Sequence, residues 1–112
     1  MAGIVAERLE SMRKKTGITS RDVAQLLDTT PETVSRWSSG RVEPQRDRLH
    51  RLLALEYILD ELLEFYDRDN ARLWLFTPHR LLGARTPAER IAAGQDDEVR
   101  AIIAQLRDGA YA

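Results

Sequence analysis

Four polar side chains crowd together at Glu32, Thr33, Ser35 and Arg36, and their chemistry suits hydrogen bonding to base edges. The planar guanidinium of Arg36 can address guanine in a major groove with two parallel hydrogen bonds, making it the best candidate for direct base contact. Thr19, Ser20 and Arg41, on either side of that cluster, are residue types that hold phosphates. Arg41 and Arg46 flank one loop, where each is either a phosphate contact or a solvated charge. The materials for catalysis are missing. His50 and His79 are the only histidines, fall on different expected elements and have no partner at ligand spacing, so each reads as a surface or capping residue. Asp96, Asp97 and Glu98 in succession suit the positive end of a helix dipole better than a metal. There is no cysteine, hence no disulfide or thiolate metal site, and no Gly-rich loop to cradle a phosphate. The expectation is a protein that is not an enzyme and needs neither metal nor cofactor.

The polar cluster needs a scaffold, and Ser20 to Gly40 supplies one. Val23, Ala24 and Leu27 line one face of a helix that runs to Asp28, with Arg21, Asp22 and Gln25 directed outward. Its cap is Thr19 or Ser20. Thr30 then caps a second helix with Pro31 at its first position, where a missing N–H costs nothing, and Gly40 stops it. Val34 and Trp37 fall three apart on its buried side, leaving Glu32, Thr33 and Arg36 outward, with Ser35 beside them. Two such helices joined by a tight turn form a helix-turn-helix. Asp28 stands in the turn and is expected to take a left-handed backbone. A helical pair that touches no DNA is the plainer alternative.

Around this pair the chain reads as all-α, with no alternating strand pattern and no repeat. A first helix, Ile4 to Lys15, carries Val5, Leu9 and Met12 on one face and ends in Arg13-Lys14-Lys15. A long helix from Gln45 to about Tyr66 is apolar over most of its girth; it is either a spine with a dimer surface or a helix wholly buried in its own monomer. Asp67 or Asp69 opens a helix to Phe76, with Leu73, Trp74 and Phe76 toward a core. Thr77-Pro78 and Thr86-Pro87 each repeat the cap-then-Pro pattern and are expected to start short helices. Asp96 to Glu98 open the last helix, whose face is Val99, Ile102, Ile103 and Leu106, and Gly109 closes it.

This predicts a helix-turn-helix lobe over residues 1–50, a connecting or dimerisation helix over 51–66, and a small helical lobe over 67–112. Charge divides the same way. Residues 1–51 hold ten Lys and Arg against seven Asp and Glu, a balance of +3, whereas 52–112 hold seven against eleven, a balance of −4. The positive half is the one suited to phosphates, although so modest a charge calls for a second copy or a larger complex to bind DNA well. No stretch approaches the ~18 apolar residues of a membrane span, so the expected location is the cytoplasm.

The run Ser35-x-Trp37-x-x-Gly40 resembles the end of the second helix in Xre and Cro type repressors, with Asp28 where Gly is frequent. Residues from about 72 to 112 resemble the C-terminal toxin-binding domain of the Xre/MbcA/ParS antitoxins: Pro78, Leu81 and Gly83, then Thr86-Pro87, Gly94, Val99, Ile102-Ile103 and Arg107-Asp108-Gly109. One departure is Arg90-Ile91, where paired apolar residues are common. The resemblance implies a type II antitoxin that represses its own operon and neutralises a RES-domain toxin, an enzyme that degrades NAD. It also implies that the C-terminal end covers the toxin's active-site entrance, through Arg107, Gly109, Ala110, Tyr111 and Ala112. Without it, that tail would read as a frayed terminus. The implied partners are the RES-domain toxin and operator DNA, bound by a homodimer or a larger toxin–antitoxin complex. The rival reading is a stand-alone helix-turn-helix regulator whose back lobe dimerises or binds a ligand; a third is an antitoxin with a vestigial helix-turn-helix.

Overall fold

The computed structural model describes residues 3–109. In chain order its helices are α1 (Ile4–Thr16), α2 (Ser20–Leu26), α3 (Pro31–Ser38), α4 (Arg46–Leu62), α5 (Arg68–Leu75), α6 (Pro87–Ala92) and α7 (Asp96–Arg107), with a 3-10 turn at Arg80–Leu82 between α5 and α6. The fold is all-α, and His79–Arg85 is an isolated antiparallel bridge.

The ends of α2 and α3 follow local chemistry. The cap of α2 is Thr19: its hydroxyl accepts from the Asp22 N–H at 3.1 Å while the Asp22 carboxylate accepts from the Thr19 N–H at 3.0 Å. Thr30 caps α3 by accepting from the Thr33 N–H, with Pro31 in the first turn. Between them Asp28 takes the left-handed conformation, φ 55°. Its carbonyl accepts from the Arg48 guanidinium at 3.2 Å. Gly17 ends α1 at φ 73°, a backbone that costs a β-carbon dearly. The Arg68 guanidinium lies against it, 3.0–3.2 Å from where such a carbon would stand.

One apolar core extends through both halves. Met12, Ile18, Leu26, Leu27 and Val34 from the front join Leu52, Leu55, Ile58, Leu59 and Leu62 of α4, and the same cluster continues into Leu75, Leu82, Ile91, Val99 and Ile103. Helix α1 packs on α3, α4 and α5, while α2 packs on α6 and α4 on α7. At about 25 cal/mol per Å² of apolar surface removed from water, this shared burial is the dominant stabilising term.

Several local expectations need correction. Asp22 does not face outward; it is 8 % exposed, because Arg72 of α5 supplies the partner that lets a carboxylate be buried. Leu73 lies outside the core at 56 % exposure, and Ala71 and Leu75 point inward instead. Thr77 caps no helix. Its hydroxyl donates back to the Leu73 carbonyl at 2.8 Å, and the following 3-10 turn is capped by the His79 ring, whose Nδ1 accepts from the Leu81 N–H. The helix expected up to Asp28 stops at Leu26, and the spine stops at Leu62, where a turn takes over through Tyr66. Leu53 and Tyr57 on α4 remain 42 % and 50 % exposed, so that helix is not wholly covered by its own monomer.

Candidate functional site

The front half offers a helix with one face committed to the core and one left free. On α3, Val34 and Trp37 are buried, whereas Glu32, Ser35 and Arg36 are exposed and Thr33 is half-buried. Thr33 is less free than its neighbours, since its hydroxyl lies 2.9 Å from that of Thr30. The Arg36 guanidinium has no side-chain or backbone partner among the described residues, and its carbonyl is taken by the Arg41 N–H and the Ser39 hydroxyl. A residue held by its backbone with its fork unengaged is prepared for an outside acceptor.

The same distinction sorts the remaining cations. Arg8, Arg13 and Lys15 are paired with Glu56, Glu10 and Asp60, and Arg48 with Asp47. The side chains of Lys14, Arg21, Arg41 and Arg46 carry no ion pair or hydrogen bond among the described residues, and all four residues are exposed. With Arg36 they give five cations on the helix-turn-helix half whose charged groups are unpaired. Ser20 is exposed in the first turn of α2. Thr19 is exposed too, but its hydroxyl already serves the capping box.

Sequence reasoning missed the contact that fixes this turn. Arg72 donates to both Asp22 oxygens, 2.8 Å from Nε and 3.0 Å from Nη2, and one turn earlier Arg68 Nε donates to the Lys14 carbonyl at 3.1 Å. Burial alone would raise the Asp22 carboxyl, but Arg72 and the Thr19 N–H outweigh it and hold it below the usual carboxylate range. These partners are 50 and 54 residues apart in sequence. No local periodicity could reveal them.

In the back half, Thr86 and Glu89 form a capping box at the start of α6. Arg90, the departure noted above, clasps the lobe: it donates to the Gln95 side chain at 2.8 Å and to the Leu82 carbonyl at 3.2 Å, while Ile91 fills the core. Arg107 is paired with Glu61 at 3.2 Å and Glu64 at 3.0 Å, tying the end of α7 to the end of α4. Gly109 closes α7 at φ 74°, and Ala110, Tyr111 and Ala112 lie outside the described residues. Among the described residues no group of carboxylates, histidines or cysteines could hold a metal, and no helix is long and apolar enough to cross a membrane.

Comparison with known proteins defines the class first. The chain matches the helix-turn-helix domain family over residues 4–71 and the antitoxin Xre/MbcA/ParS C-terminal toxin-binding domain over residues 54–109. It is 35 % identical over 108 residues, 96 % of each chain, to the mycobacterial cidal antitoxin MbcA of Mycobacterium tuberculosis, and equally to that of Mycobacterium bovis. The crystal structure of the M. tuberculosis MbcT–MbcA toxin–antitoxin complex matches at a TM-score of 0.84 and 34 % identity, covering 98 % of this chain and 99 % of that one. The chain belongs to the Xre/MbcA/ParS antitoxin family: an antitoxin with a helix-turn-helix, and not an enzyme.

Proposed function

We propose that this antitoxin neutralises a RES-domain, NAD-degrading toxin by blocking its active site, and that it represses its own operon by placing α3 in the major groove. The working units are a DNA-reading lobe over 1–50, a connecting helix over 51–66 and a toxin-binding lobe over 67–112, in a homodimer or larger complex in the cytoplasm. The observation that carries the DNA half is the sorting of cations: those of the helix-turn-helix half include five left unpaired, Arg36 among them on the exposed face of α3. Arg36, with Glu32, Thr33 and Ser35, reads bases; Thr19, Ser20, Arg41 and Arg46 hold phosphates. What supports the toxin half is the toxin-binding family match over 54–109, together with a relative solved in a toxin–antitoxin complex. Gly109 to Ala112 is the blocking segment: two alanines fit a narrow mouth and Tyr111 anchors them.

Deleting residues 110–112 tests the toxin half. The expected result is lost growth protection against a co-expressed RES-domain toxin, with operator retardation in mobility-shift assays unchanged. Protection by the shortened chain would refute the blocking role, and failure of the full chain to retard operator DNA at low salt would refute the DNA half.

A further inference from the structure

Three basic residues end α1, and the structure treats them differently. Arg13 is paired with Glu10 and Lys15 with Asp60, so both charges are met within the chain. The Lys14 side chain between them has no ion pair or hydrogen bond among the described residues. Together with Thr19, Ser20 and Ser38 it lines a groove of about 720 Å³ that joins the corner between α1 and α2 to the end of α3. Of the carboxylates on that groove, Glu10 is held by Arg13, and Glu7 stands about 10 Å back along the helix.

What fixes Lys14 comes from α5. Its carbonyl is in the last turn of α1, where the helix itself provides no donor. The Ile18 N–H that could have reached it bonds the Thr16 hydroxyl instead, at 3.3 Å. Arg68 Nε supplies a donor at 3.1 Å. The guanidinium lies in the space left by Gly17, 3.0–3.2 Å from where a β-carbon would stand, and its Nη1 pairs with Asp69 at 3.0 Å, so its charge is balanced on α5. One turn further on, Arg72 grips Asp22 at the start of α2 and lies 5.3 Å from the centre of the Phe76 ring. Two arms of one helix thus clasp the end of α1 and the start of α2, across a link of Gly17, Ile18 and Thr19.

We propose that Lys14 is a phosphate contact of the DNA-reading half and that Arg68 is its positioning residue, holding the last turn of α1 so that Lys14 and Ser20 meet one DNA backbone together. The proposal rests on the DNA reading above and adds two residues to it. A lysine stem loses conformational freedom when it binds, so the contact is stronger where the backbone beneath it is already fixed. Arg68 fixes that backbone through its Nε and does not itself touch the DNA.

Salt titrations of the full chain against a labelled duplex of scrambled sequence test this, since phosphate contacts need no particular bases. Lys14→Met is expected to weaken binding about fivefold and to reduce the slope of log affinity on log salt by about 1. Arg68→Met, which keeps a stem and removes the donor, should do the same, and the double variant should be no weaker than either alone. Arg68→Gln separates the two roles an arginine could play. Its side-chain nitrogen takes the bonded position of Nε and can still donate to the Lys14 carbonyl, without the charge. It should bind within about twofold of the parent, with the slope unchanged. Melting curves should show every variant folded at the assay temperature; should Arg68→Met not fold, Arg68→Ala takes its place. A reduced slope in Arg68→Gln, with losses that multiply in the double variant, would make Arg68 a phosphate contact itself and overturn the positioning role. A lower melting temperature for Arg68→Met with affinity and slope unmoved would leave Arg68 a structural support, and an unchanged slope in Lys14→Met would remove Lys14; either result overturns the proposal. All of these leave the DNA reading intact, whereas a parent chain without salt-dependent binding would bring down that reading and the proposal together.

Discussion

Arg72 grips Asp22 with two hydrogen bonds across 50 residues of sequence, so a helix of the span matched to the toxin-binding domain holds the first turn of a helix in the helix-turn-helix. The carboxylate is nearly buried and the guanidinium partly open. Such a bidentate contact does more than a surface ion pair, because the same oxygen that meets Arg72 also closes the cap on Thr19.

Arg72→Ala should therefore lower unfolding free energy by about 2 kcal/mol, read from urea denaturation at pH 7, because it strands a buried carboxylate. Asp22→Asn should cost less. The double variant should be less destabilised than the sum of the two, since they share one interaction. Additive effects would show that the pair contributes nothing of its own.

The same carboxylate makes a pH prediction. Its folded pKa is depressed, so the stability it confers is complete above the unfolded carboxylate value and drains away as pH falls below that value toward the folded one. Parent and Asp22→Asn stability should run parallel from pH 7 down to about 5 and converge below about pH 4. Curves that stay parallel into strong acid would contradict the assigned cause.

Arg36→Ala should leave the fold and toxin binding untouched and reduce discrimination between operator and scrambled DNA, at a cost of about 1–3 kcal/mol on the specific site. Replacing Arg41 or Arg46 should weaken both DNAs alike and reduce the slope of log affinity on log salt by about 1 each. Mobility shifts at several salt concentrations separate the two behaviours; an unchanged slope would return Arg41 and Arg46 to plain solvated charges.

Asp28 stands where φ is 55°. Asp28→Gly should leave the melting temperature within about 3 °C of the parent, the relieved strain offsetting the extra freedom of the unfolded chain. Asp28→Val should cost about 1–2 kcal/mol, since a β-branched residue tolerates that backbone poorly. Equal stability of the two variants would show that the turn does not require this conformation.

How legible this molecule is from sequence depends on the range of the interaction. Thr30-Pro31, Thr86-Pro87 and Asp67 announce helix starts because a cap bonds to its own next turn, and the structure places a helix after each. Val34 and Trp37 are legible as core because helical spacing assigns them one face. Thr77-Pro78 carried the same signal and misled. There the hydroxyl finds the Leu73 carbonyl behind it, and the His79 ring takes over as cap. Asp22 is expected to face outward because the arginine that allows its burial comes from a distant helix, and the partners of Glu56 and Glu61, Arg8 and Arg107, are as remote in sequence. Of the candidate site, the exposed α3 face was readable, whereas the Arg72 contact that holds the start of α2 was not, being formed by residues 50 apart in sequence.

Leu55, Ile58, Leu59 and Leu62 are beams in a frame that both halves share, with α1 lodged on α4 and α5 and α2 lodged on α6. A protease that nicks the chain within the back helices would take support from α1 and α2 as well, so a single cut should end both proposed activities at once.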